Sequence, residues 1–115
     1  MSNSLHEYIE VVESGYEFLL AYAAQGRESD EGQGGSEVRT TLTGMSEAAA
    51  AISENLPDGD DFAVVVIDDA RKSIAAISLV LSQDKISSEL VDNLNASIHV
   101  RALLTDLFLL SETLG

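Results

Sequence analysis

The chain has 115 residues, no cysteine and a formal charge of −14, from 20 acids against 6 bases. That length fits one domain closing its own core, and the missing thiols exclude disulfides, zinc–thiolate sites and cysteine nucleophiles. A surface this acidic repels phosphate backbones and anionic lipid, so direct binding to nucleic acid or membrane is not expected.

Charges interrupt every apolar segment well short of the ~18 residues a membrane span needs. The start, "MSNSLHEYIEVV", shows no basic region followed by an apolar run, so a cytoplasmic protein is expected.

The first predicted element runs over about 5–25. Leu5, Tyr8, Ile9, Val12, Tyr16, Leu19 and Ala23 recur at helical spacing, with Glu10, Glu13 and Glu17 on the other side. Ser4 and Glu7 have the spacing of a capping box, and Gly26 suits the exit. The tyrosines Tyr8, Tyr16 and Tyr22 belong to the apolar side and are expected to pack. "GRESDEGQGGS" at 26–36 then reads as a flexible acidic, glycine-rich loop. A loop of this length suggests a surface element or a partner contact.

The second helix is predicted over 37–56, starting near Ser36. Val38, Leu42, Met45, Ala49, Ile52 and Leu56 alternate spacings of four and three, a narrow heptad seam, and Pro57 ends it.

The third begins with "DDFAVVVIDDARK" at 60–72, whose apolar run before an acidic pair looks like a strand end. The apolar periodicity, however, continues through Val66, Ala70 and Ile77 to Leu81, too long for a strand. A helix over 60–82 is predicted, with Asp58 or Asp60 as its cap. Val64 and Leu79 fall outside its apolar arc. "SQDKISS" at 82–88 is read as a polar connection.

The fourth helix, over 87–113, carries two stripes. Leu90, Val91, Leu94 and Ile98 point one way; Val100, Leu103, Leu107, Leu110 and Leu114 lie on nearly the opposite face of an unbroken helix. The switch falls near His99, where no proline or glycine would break the helix. The preferred reading is a second face turned to another subunit, with a kink as the alternative.

These elements predict an all-α fold, an antiparallel four-helix bundle, in a single domain spanning 1–115. The chemistry on offer is thin. Neighbouring positions Asp68 and Asp69 diverge on a helix, and Asp68 has Arg71 and Lys72 at ion-pair spacing; a solvated pair is expected, with Asp69 at the edge of the apolar arc open to partial burial. A calcium loop from Asp58 would need glycine where Ala63 stands and glutamate where Asp69 stands. A di-iron bundle needs Glu-x-x-His motifs, but Ala96 occupies the position three before His99. No catalytic residue, cofactor or metal is predicted.

The expected function is therefore a non-enzymatic protein acting through protein–protein contacts, as a homodimer, with Val64, Leu79, Val100, Leu103, Leu107, Leu110 and Leu114 as candidate interface. The alternative is an acidic regulator or inhibitor occupying the basic site of a protein partner. A histidine-dependent phosphotransfer or metal-binding bundle ranks below both.

Overall fold

The computed structural model describes residues 2–32, 35–56 and 60–113, with backbone alone for 2–4. It is an all-α bundle of five helices: α1 (Ser2–Ala23), α2 (Glu37–Glu54), α3 (Asp61–Leu81), α4 (Ser88–Ala96) and α5 (His99–Thr113). The four-helix expectation is overturned, because the predicted helix over 87–113 is two helices. Among the described residues, no helix is long and apolar enough to cross a membrane.

The break has a specific cause. Ile98 adopts a left-handed backbone with φ of 64°, a conformation in which Cβ crowds the following carbonyl and which glycine usually supplies. It ends α4, its N–H donating to the Asn95 carbonyl while Ser97 N–H donates to Asn93 and Leu94. Its own carbonyl then accepts from Ala102 N–H at 2.8 Å, which starts α5. Ser73 Oγ of α3 donates to the His99 carbonyl at 3.0 Å and fixes the new helix's start. Turning the chain here brings Val91 and Leu94 of one stripe and Val100, Leu103 and Leu107 of the other into the same interior. This accounts for the face switch without a second subunit, while Ile98 itself stays exposed.

The remaining elements follow their local signals. Asp60 caps α3, its Oδ1 accepting from Phe62 and Ala63 N–H at 2.9 and 3.1 Å. Ser87 caps α4 through Leu90 N–H. Helix α1 already includes Ser2, so Ser4 lies inside its first turn and not ahead of it. Gly26 takes the left-handed exit, with φ of 68°. Asp58 and Pro57 lie outside the described residues.

Packing runs around a ring. Helix α1 lies against α2, α2 against α3, and α3 against α5, while α4 and α5 together close the ring onto α1. Two apolar clusters fill it. Leu19, Tyr22, Val38, Leu42, Ile77, Ile86, Val91 and Leu94 occupy the α4 end. Ile9, Val12, Ala49, Ile52, Val66, Leu103 and Leu107 occupy the other. The heptad seam of α2 is buried from Val38 to Ile52. Gly15 lets α1 approach α2, since a Cβ there would collide with the Met45 side chain. Gly44 is different: a Cβ there would meet nothing within 4 Å, so α2 carries the ~1 kcal/mol helix-propensity cost of glycine with no neighbour requiring it.

Candidate functional site

The residues predicted to form an interface separate into two groups. Val100, Leu103 and Leu107 are inside the chain's own core, at most 1% exposed, and Leu110 is half-buried. These positions offer no free seam, and a charge at Leu107 would enter the core. Leu114 lies outside the described residues. Val64 and Leu79, by contrast, are 60% and 67% exposed on the outer face of α3.

That outer face is balanced in charge. Asp61, Asp68, Arg71 and Lys72 are all exposed along it, and Lys72 Nζ meets Asp68 Oδ2 at 3.0 Å, one helical turn apart. Hydrogen bonding to Asp68 raises the Lys72 pKa. This is the ion pair expected from the spacing, between exposed groups that contribute little to stability. Val64, Val65, Ile67 and Arg71 border a shallow depression of about 370 Å³ beside it.

Asp69 does something else. It leaves its neighbour's ion pair and meets Asp106 of α5 at hydrogen-bonding range. Burial and then the facing carboxyl push the Asp106 pKa up to about 7. Two carboxylates cannot hydrogen-bond each other; one must hold a proton. With both ionised, Asp106 Oδ2 is buried with no donor among the described residues. A proton held on Asp106 would supply the missing donor and bridge the α3–α5 seam. The apolar-arc edge position of Asp69 was the only sequence signal for it.

A second polar constellation ties the far end of the bundle. Arg39 Nε donates to Asp30 Oδ2 at 2.7 Å, and its other nitrogens donate to the carbonyls of Leu81, Gln83 and Asp84. These carbonyls lie at and just beyond the end of α3, where helix acceptors lack partners. Asp30 Oδ1 accepts from Ile86 N–H, and the two bonds, with Arg39's the larger effect, hold its carboxyl below the usual range. Tyr22 Oη donates to the Ile86 carbonyl at 2.7 Å, and burial pushes that phenol up. Ser88 Oγ donates to the Tyr22 carbonyl and accepts from Arg27 N–H. The segment read as a polar connection therefore contributes Ile86, fully buried, to the core.

Among the described residues, no three or more His, Asp or Glu side chains converge to hold a metal ion. His99 engages the fold through its backbone carbonyl. Comparison with protein-family models, curated proteins and solved structures finds no match to this chain. The fold and surface therefore define its class as a compact all-α helical bundle.

Proposed function

We propose that this chain is a non-enzymatic cytoplasmic protein that acts through protein contacts and self-associates by the outer face of α3. The observation that carries this reading is the exposure of Val64 and Leu79 on one charge-balanced helical face. Isolated exposed apolar residues are ordinary on protein surfaces. Here they sit on a face free of the net negative charge that would drive two copies apart.

A two-fold axis near Arg71 and Lys72 would run two α3 helices antiparallel. Val64 of each copy would then meet Leu79 of the other, about 22 Å apart along each helix at the α-helical rise. Arg71 and Lys72 of the two copies would face each other at the axis. Asp68 of each copy, about 5 Å further along, would have to reach across to the other's Lys72 to offset them. Light scattering over a concentration series is expected to give a dimer, and Leu79→Glu to give a monomer with unchanged helicity. A wild-type monomer throughout removes self-association; a dimer unaffected by Leu79→Glu removes α3 as its face.

The acidic-regulator reading rests on a different observation, the sorting of charge between helices. Helices α1 and α2 carry seven acids and one base, Arg39, which is already committed to Asp30 and three carbonyls.

A further inference from the structure

Between α1 and α2 an open groove of about 420 Å³ runs along the outside of the bundle. Val11 and Phe18 form its apolar wall on α1, Thr40 and Thr41 face them from α2, and Gly15 and Gly44 form the floor. Val11 is 43% exposed. The fold accounts for Gly15, which admits Met45, but not for Gly44, above which there is open space. Glycine in a helix interior is unfavourable relative to alanine, and its recurrent use is close approach by another backbone. Among the described residues none makes that approach.

The rim identifies the visitor's charge. Glu10 lines the groove on the α1 side, and Glu47 of α2 lines the adjoining depression that shares Thr40 and Gly44. Glu17 and Glu37 are exposed elsewhere on the same two helices. The single base of these two helices, Arg39, is neutralised by Asp30. From Val11 to Phe18 is seven residues, or about 10 Å of helix, which matches apolar side chains spaced i and i+7 on a docked helix. We infer that the α1–α2 groove docks a basic amphipathic helix of a protein partner, its apolar residues between Val11 and Phe18, its backbone over Gly44 and its lysines or arginines on the glutamate rim. This rests on the reading that the protein works through contacts, and is independent of self-association through α3.

The probe is a synthetic helical peptide of about 18 residues, with leucines at i, i+4 and i+7 and lysines flanking them. A scrambled peptide of the same composition keeps the charge and loses the apolar stripe. Fluorescence anisotropy with the full chain is expected to show the amphipathic peptide binding about tenfold tighter than the scrambled one, and weakening about tenfold between roughly 50 and 500 mM salt. Gly44→Leu, at an open helical position, is expected to cost about tenfold in affinity without loss of helicity, and Val11→Ser to weaken binding in the same direction. Leu79→Glu is expected to leave it unchanged.

Equal affinity for the two peptides would reduce the effect to bulk charge and overturn the proposal, as would no binding or indifference to both groove substitutions. A dimer that Gly44→Leu dissociates would make the groove a self-interface and overturn it as well. Because Leu79→Glu reports only on α3, failure of the groove and failure of the dimer give separate results.

Discussion

Asp30 and Asp106 are both aspartates that reach across to another part of the fold, and they meet opposite conditions. Asp30 receives a guanidinium N–H on one oxygen and the Ile86 N–H on the other, so its charge is wanted and its pKa falls. Asp106 faces Asp69, with one oxygen buried without a donor, so its charge is resisted and its pKa rises to about 7. The same side chain therefore stabilises one region and strains the other. The contacts of Asp30 and Arg39 with Leu81, Gln83, Asp84 and Ile86 form a satisfied network, although Asn95 Oδ1 of α4 is buried with no partner among the described residues. The α3–α5 seam holds an acid pair and begins at Ile98, whose backbone is itself unfavourable. Local opening follows sparse apolar burial and exposed backbone bonds, and α5 still buries Val100, Leu103, Leu104 and Leu107, so the acid pair weakens one seam of a packed helix.

The comparison breaks most visibly at Arg39. Replacing it with alanine removes the counter-charge of Asp30 and three bonds to carbonyls around the end of α3. Hydrogen bonds to charged groups contribute more than neutral ones, and a carboxylate left without its partner adds a desolvation cost. Because the guanidinium is partly exposed, a loss of about 3 kcal/mol is expected for Arg39→Ala by urea unfolding. A loss under about 1 kcal/mol would mean the network only decorates a bundle held by its apolar clusters. The pH dependence has a definite sign. Asp30's stabilisation is present above the ordinary aspartate range and is lost as pH falls through its depressed folded value.

How far each region could be read in advance follows the same division. The buried seam of α2, the cap at Asp60 and the Asp68–Lys72 pair are local: spacing alone sets them, and they lie where the pattern placed them. The break at Ile98 is not, because a β-branched residue in a left-handed conformation contradicts the rule that would have announced it. The face switch between Ile98 and Val100 is the visible trace of that break, and with neither glycine nor proline at the interruption it has the pattern of a dimer seam. The Asp69–Asp106 contact joins α3 to α5, and no periodicity along one helix encodes a crossing between two. Ile86 was hidden by polar neighbours, although its burial depends on bonds from Asp30 and Tyr22 that only the folded chain supplies. Violations of local rules gather where a fold stores strain.

The acid pair gives the next largest effect, with the opposite sign to Asp30. A raised folded pKa means the native state binds more protons than the unfolded chain between the ordinary aspartate value of 3.8 and about 7. Stability from this pair is therefore greatest at the acid end of that window and declines as pH rises through it, reaching its minimum once both groups ionise. Asp106→Asn keeps a donor facing Asp69 and removes the second charge. It is expected to stabilise the protein by about 1 kcal/mol at pH 8, discounted for the water that screens a half-exposed site, and to change little near pH 5. A mutant that is equally affected at both pH values would show that the two carboxyls do not share a proton.

Ile98 offers the smallest and most diagnostic change. Glycine there removes a Cβ clash of ~1–2 kcal/mol and gives up a side chain that is mostly exposed, but it also frees the unfolded chain by ~0.5–1 kcal/mol. A net gain of about 0.5 kcal/mol is expected for Ile98→Gly, measured by thermal unfolding. Ile98→Ala keeps the Cβ and therefore the clash, so it should give no gain. Equal effects from the two variants would assign the cost to the isoleucine side chain and not to its backbone. A loss in Ile98→Gly would have a different meaning again: the β-branched side chain would then be holding the turn that sets α5 against α3, and the strain at Ile98 would be what keeps Asp106 facing Asp69. Amide exchange along α5 separates these cases, because a turn loosened by glycine lowers protection throughout α5 while leaving α1 and α2 unchanged.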